Sequence, residues 1–153
     1  MTAVTIRPMT ADDIPTIVAW MLETPLWQRY GVTADSSAAR FEAGLAQGDL
    51  LLAADTDEPA CGFVWVLPRG AFGRWPYIRL IGVKSSQQGK GIGEALMREV
   101  ESRIDATDLF LLVSDFNLSA QRFYQRLGFE QIGLITGFVQ PDIDEVIMRK
   151  KLR

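Results

Sequence analysis

The sequence predicts an α/β (α+β) protein whose mixed, mostly antiparallel central sheet is flanked by about four helices. Three observations predict it. Residues 77–103, YIRLIGVKSSQQGKGIGEALMREVESR, read as an apolar strand, a polar glycine-rich loop and a helix. Apolar runs at 50–54, 61–67 and 75–84 are spaced like the strands of an antiparallel meander. The run 108–113, DLFLLV, is apolar almost throughout, as a strand buried on both faces is. Following a strand and a helix, it is expected parallel to the 77–84 strand.

The elements follow in order. Val4 to Arg7 alternates apolar and polar residues and ends at Pro8, which suits a first strand. Thr10 with Asp13 resembles a capping box with Asp in place of Glu. Ile14, Ile17, Val18, Met21 and Leu22 give the next helix an apolar face. Pro15 is tolerated only in a first turn, so the helix starts near Asp12 or Asp13. Thr24-Pro25 stops it. Leu26 to Val32 is expected as a connection, whose Trp27, Arg29 and Tyr30 either line a substrate pocket or cap the core.

Asp35 or Ser36 caps a second helix with Phe41 and Leu45 on its buried side, and Gly48 ends it. Residues 50–54 and 61–67 form a hairpin around the turn Thr56 to Pro59, and 68–73 is a loop. The helix after the glycine loop buries Ile92, Leu96, Met97 and Val100. After the 108–113 strand, a helix with Leu118, Phe123 and Leu127 on its apolar positions ends at Gly128. Residues 129–136 and 145–151 are the last two strands.

A chain of 153 residues suits one domain, 1–153, and buries enough surface to fold without disulfides or metal. The lone Cys61 sits in CGFVWV and reads as a small core residue. Without a histidine there is no Ser-His or Cys-His dyad and no His-bearing zinc site. MTAVTIRPMT lacks the basic and apolar regions of a signal peptide, and no apolar stretch is long enough to span a membrane. A cytoplasmic location and no membrane partner are expected. Residues 1–60 hold three arginines against nine acids, whereas 61–153 hold thirteen basic residues against ten acids. The cationic part carries the glycine loop, which suits a multiply anionic ligand; the acidic part suits a cationic one. No basic cluster is dense enough for nucleic acid.

A glycine loop entering a helix is an anion-binding arrangement, because the first turn offers free N–H groups and the positive end of the dipole. Two nucleotide patterns fail. Gly89-Lys90 is followed by Gly91 rather than Ser or Thr, so there is no Walker A loop. GxGxxG fails because Glu94 or Leu96 stands where its last glycine would be. Gln-x-x-Gly-x-Gly fits, at Gln88, Gly91 and Gly93. The run QGKGIG resembles the pyrophosphate loop of the GNAT superfamily, the acyl-CoA-dependent N-acetyltransferases. Asn117, Ala120, Tyr124, Gly128 and Phe129, in NLSAQRFYQRLGF, are similar to that family's second acyl-CoA motif. The element order resembles the GNAT fold across nearly the whole chain.

The resemblance implies an enzyme that moves an acetyl group from acetyl-CoA to a primary amine by direct attack, through a tetrahedral intermediate, without metal. It implies that Ile81, Gly82 and Val83 pair with the pantetheine arm. Gly82 then marks a bulge or close ligand approach, or else a packing glycine. It implies that the pyrophosphate meets Gln88, Gly89, Lys90, Gly91, Ile92, Gly93 and Glu94, with Lys84 or Arg126 reaching the remaining phosphate. Asn117 would bond the pantetheine, or cap its helix. Tyr124 would protonate the leaving thiolate. Many relatives carry a glutamate base on the central strand; here Tyr77-Ile78-Arg79-Leu80 has no carboxylate, and Glu23, Asp115, Asp144 and Glu145 remain. The acidic N-terminal part favours a small cationic amine as acceptor. A protein N-terminus or lysine, a non-catalytic acyl-CoA sensor and a structural subunit are the other readings, and the resemblance leaves room for a homodimer.

Overall fold

The computed structural model describes residues 3–153. In chain order the elements are β1 (Thr5–Pro8), α1 (Ile14–Leu22), α2 (Pro25–Arg29), α3 (Ala34–Gln47), β2 (Leu50–Asp55), β3 (Gly62–Ala71) and β4 (Trp75–Val83). They continue with α4 (Ile92–Arg103), β5 (Asp108–Ser114), α5 (Leu118–Arg126), β6 (Glu130–Ile135) and β7 (Glu145–Lys151). Short 3-10 turns cover Ala11–Asp13 and Ser85–Gln87. The seven strands are hydrogen-bonded in the order β1-β2-β3-β4-β5-β7-β6. The expected mixed, mostly antiparallel sheet is present. By contacts the chain divides into two units, the residues up to Val66 with Leu80–Arg103, and Leu67–Arg79 with Ile104–Arg153.

In the first unit β1 pairs antiparallel with β2, and β2 antiparallel with β3. Trp20, Trp27, Phe41, Phe63 and Trp65 form a buried aromatic cluster with ring centroids 5.3–6.0 Å apart. Trp27 arrives there on α2, a turn of helix where the sequence predicts a connection. Thr24 is extended and Pro25 stands in the first helical turn, where proline's fixed φ is an advantage. Of the two roles expected for Trp27, the core is the one observed. Thr33, rather than Asp35 or Ser36, caps α3: its Oγ1 accepts from the Ser36 N–H at 3.3 Å. Gly48 ends α3 with a positive φ, as expected. The α4 face of Ile92, Leu96, Met97 and Val100 is buried as its spacing predicts.

Arg7 ties β1 to two carboxylates. Its Nη1 and Nη2 donate to Asp13 at 2.8 Å each, and its Nε and Nη2 donate to Asp55 at 2.7 and 3.1 Å. Asp13 also accepts from the Thr10 N–H at 2.8 Å, completing the predicted capping box. The Arg7 hydrogen bonds hold both carboxyls below the usual carboxylate range. A depressed folded pKa contributes stability that is present above the unfolded value of about 3.9 and is lost as pH falls through the lower folded value. Asp13→Asn is therefore expected to cost about 2 kcal/mol at neutral pH. It should also flatten the acid limb of the stability curve, measured by urea unfolding at several pH values.

In the second unit β4 and β5 are parallel, with Tyr77 beside Phe110 and Ile78 beside Leu111. β5 pairs antiparallel with β7, and β7 with β6, so the last strand enters between two earlier ones. β3 continues to Ala71, through residues expected in a loop. The turn shrinks to Phe72 and Gly73, with φ of +57° and +68°, and the Arg74 N–H bonds the Ala71 carbonyl at 3.1 Å. Two left-handed residues match the strand twist, as in a type I′ hairpin. On α5 the expected apolar face is corrected: Tyr124 is the buried residue and Leu118 is exposed.

Candidate active site

The glycine loop belongs to the first unit. β4 runs five residues beyond Ile78, its last position in register with β5, and ends at Val83. Ile81, Gly82 and Val83 are half-buried. A Cβ on Gly82 would lie 2.2 Å from the Trp27 ring and 3.1 Å from Phe63. The packing reading thus accounts for this glycine. Gly82→Ala is expected to destabilise the protein by about 1–3 kcal/mol, because the Trp27 ring is held by its neighbours; chemical denaturation measures it.

Beyond Val83 the chain is pinned by polar side chains. The Lys84 N–H donates to the Cys61 carbonyl at 2.8 Å. Gln87 is buried; its Nε2 donates to Glu58 at 3.0 Å, while its Oε1 accepts from Thr56 and from Lys90, each at 3.2 Å. Gln88 donates to the Val83 carbonyl at 3.3 Å. Gln87 is a residue that motif reading misses, since it lies outside the Gln-x-x-Gly-x-Gly pattern and its buried amide serves the loop from below. Lys84, a candidate for a phosphate, is instead paired with Glu58 at 2.8 Å.

Gly89 and Gly91 have φ of +77° and +79°, and a Cβ on either would meet nothing within 4 Å. Backbone conformation, not crowding, demands glycine at these two positions. The Ala95 N–H bonds the Gly91 carbonyl at 3.0 Å and closes the first turn of α4. The N–H groups of Ile92, Gly93 and Glu94 precede it and have no intrahelical acceptor. The Glu94 carboxylate pairs with Arg98 at 2.7 Å. The loop thus offers a run of backbone donors at a helix N-terminus, with no side chain above its two left-handed glycines.

The second motif lies in the other unit, and its spacing has a structural account. Asn117 caps α5: its Oδ1 accepts from the Ala120 N–H at 3.3 Å. Gly128, at φ +100°, reverses the chain after the helix. The Phe129 N–H bonds the Tyr124 carbonyl and the Gly128 N–H bonds the Gln125 carbonyl, each at 3.0 Å. This is a Schellman ending, with Phe129 folded back to pack edge-on against Tyr124 at 5.8 Å. Tyr124 is buried, and desolvation, then the nearby Tyr77, push its phenol well above the ordinary range. It stays a neutral O–H at neutral pH. Arg126 is exposed in the last turn of α5.

The carboxylates named for a base are spread out. Glu23 ends α1 in the first unit. Asp115 is exposed after β5, and Asp144 accepts from the Gly137 N–H at 3.0 Å. Glu145 opens β7 and is buried. Among the described residues no His, Cys, Asp and Glu group is placed to hold a metal ion, and no helix is long and apolar enough to cross a membrane.

The model of the acetyltransferase (GNAT) family matches residues 15–129, and the chain belongs to that family. No curated protein is significantly similar to it in sequence. Among solved structures, it is similar to an acetyltransferase of the GNAT family from Bacillus cereus, at 19% identity and a TM-score of 0.81, over 97% of both chains. It is similar to YncA from Salmonella typhimurium, solved with its cofactor acetyl-CoA, at 21% identity and a TM-score of 0.76, over 99% of this chain and 95% of that one. An aminoglycoside 6'-N-acetyltransferase complexed with coenzyme A is similar at 16% identity and a TM-score of 0.79, over 97% of both. At these identities the likeness is one of fold.

Proposed function

We propose that residues 1–153 form one acetyltransferase domain that transfers an acetyl group from acetyl-CoA to a primary amine, with a small cationic amine as acceptor. The observation that carries the reading is the loop from Lys84 to Glu94. Its left-handed Gly89 and Gly91 open the backbone at the start of α4, and Gln87 and Gln88 fix its path. A pyrophosphate suits such a cradle. Gln88, Gly89, Lys90, Gly91, Ile92, Gly93 and Glu94 would hold it. Ile81, Gly82 and Val83 would pair with the pantetheine amides, as an added strand pairs. When bound, acetyl-CoA supplies an activated thioester to the amine.

The protein's own part is binding, orientation and proton movement. A backbone N–H of the 81–83 segment would meet the oxygen on which charge develops. Asn117, besides capping α5, would bond the pantetheine. Tyr124 would give its proton to the departing thiolate, a role that its neutral, buried phenol suits.

Thiol release from acetyl-CoA, followed against a panel of polyamines, amino-sugars, amino acids and peptides, tests the reading. Release with a small amine and not with peptides supports it. Preference for peptide N-termini or lysines would move the acceptor class to proteins. Tight acetyl-CoA binding without release to any acceptor would favour a sensor, the reading to which a β4 without carboxylates gives some weight.

A further inference from the structure

Residues 80–103 carry four cations, Lys84, Lys90, Arg98 and Arg103. Three of them face a carboxylate. Lys84 pairs with Glu58 at 2.8 Å, Arg98 with Glu94 at 2.7 Å and Arg103 with Glu99 at 2.8 Å. Lys90 differs, because its Nζ donates to a neutral oxygen, the Oε1 of Gln87, at 3.2 Å. It stands between the left-handed Gly89 and Gly91, inside the loop that leads into α4.

The neighbours of Gln87 fix which way its amide faces. A carboxylate only accepts and an ammonium only donates. Glu58 lies 3.0 Å from Nε2 and Lys90 lies 3.2 Å from Oε1, so a turned-over amide would set acceptor against acceptor and donor against donor. Thr56 agrees with this direction, since its hydroxyl donates to Oε1 at 3.2 Å. The Thr56 N–H bonds the Glu58 carbonyl at 3.0 Å and the Glu58 N–H bonds Thr56 Oγ1 at 3.2 Å, which holds the turn between β2 and β3 that carries both. Gln87 is buried, so these groups and not water are its partners. A neutral amide thus stands between the Glu58 carboxylate and the Lys90 ammonium. It anchors the ammonium without cancelling its charge, while Lys84 takes up the charge of Glu58. An ammonium has three donors, and the bond to Gln87 uses one.

Resting on the acetyltransferase reading, we infer that Gln87 is a positioning residue that acts through Lys90, holding an uncancelled positive charge in the loop for the donor's pyrophosphate, so that the enzyme selects thioesters of coenzyme A over thioesters of pantetheine alone. The gain has two parts. The ammonium attracts the anion. Its flexible stem is also ordered before the ligand arrives, so less entropy is lost on binding. Glu58, in a turn 29 residues upstream, sets the direction of the amide and with it the acceptor that Lys90 meets.

The test measures acetyl-CoA affinity by calorimetry, and kcat/KM with acetyl-CoA and with S-acetylpantetheine, which has no phosphate. Lys90→Met keeps the stem and removes the charge from an exposed side chain. Acetyl-CoA affinity is expected to fall by about tenfold and to depend less steeply on salt than in the wild type. The preference for acetyl-CoA over S-acetylpantetheine should fall by the same factor. Gln87→Met, similar in size but without the amide, is expected to lower acetyl-CoA affinity and that preference by about three- to tenfold. It also lowers the melting temperature, because Glu58 and Thr56 lose a partner, so binding is measured well below unfolding. The double variant should bind no worse than Lys90→Met, because Gln87 acts through Lys90. Wild-type affinity or salt dependence in Lys90→Met, an unchanged donor preference, or additive losses overturn the proposal while leaving the acetyltransferase reading in place. A wild type that does not bind acetyl-CoA overturns both.

Discussion

Tyr124→Phe is expected to lower turnover by about 10²- to 10⁴-fold, with acetyl-CoA affinity unchanged. The substitution removes one oxygen and keeps the ring. Packing against Phe123 and Phe129 survives, at centroid distances of 5.3 and 5.8 Å, and so does the Schellman ending, which uses only the Tyr124 carbonyl. A fall in rate would therefore report the hydroxyl and not the fold. Steady-state kinetics with calorimetric titration of acetyl-CoA separate the two. A variant that turns over like the wild type would remove Tyr124 from the mechanism and leave it as the anchor of a helix end.

Gly91→Val is expected to act on the other quantity. At φ +79° a β-branched residue is strained by at least about 1–2 kcal/mol. The loop relieves that strain by moving, and the backbone donors before Ala95 move with it. Acetyl-CoA affinity should fall by at least about tenfold, equivalent to about 1.4 kcal/mol. The melting temperature should fall by only several degrees, because the strain is of backbone origin and a Cβ at Gly91 meets nothing within 4 Å. Wild-type affinity would show that the pyrophosphate is held elsewhere.

Much of this architecture is legible in the residues. The α4 face is set by the spacing of Ile92, Leu96, Met97 and Val100, and all four are buried. DLFLLV became β5, parallel to β4 as its place after a helix requires. Other features depend on partners distant in sequence. Gly82 reads as a candidate for close ligand approach until Trp27 is found against it, and Trp27 is there because α2 forms where proline follows threonine. Phe72-Gly73 is not an expected hairpin turn, since phenylalanine rarely takes a positive φ; its ring rests edge-on against Phe110, 5.8 Å away. Leu118 looked like a core position by type, yet the face of α5 turns Tyr124 inward instead. Gln87 lies beside a recognised motif and does not belong to it. Its importance comes from burial and from Glu58, 29 residues away, which no local pattern displays.

The burial of Cys61 bears on how the chemistry can be watched. The sequence has one cysteine, its side chain is 1% exposed, and its backbone N–H and carbonyl are held by Ala54 and Lys84 at 2.9 and 2.8 Å. A thiol-reactive dye added to the folded protein therefore finds almost nothing to label. Every sulfhydryl that colours the solution during turnover comes from coenzyme A, and one further equivalent per chain appears only when β2 and β3 separate. The same reagent thus counts product in buffer and unfolded molecules in denaturant.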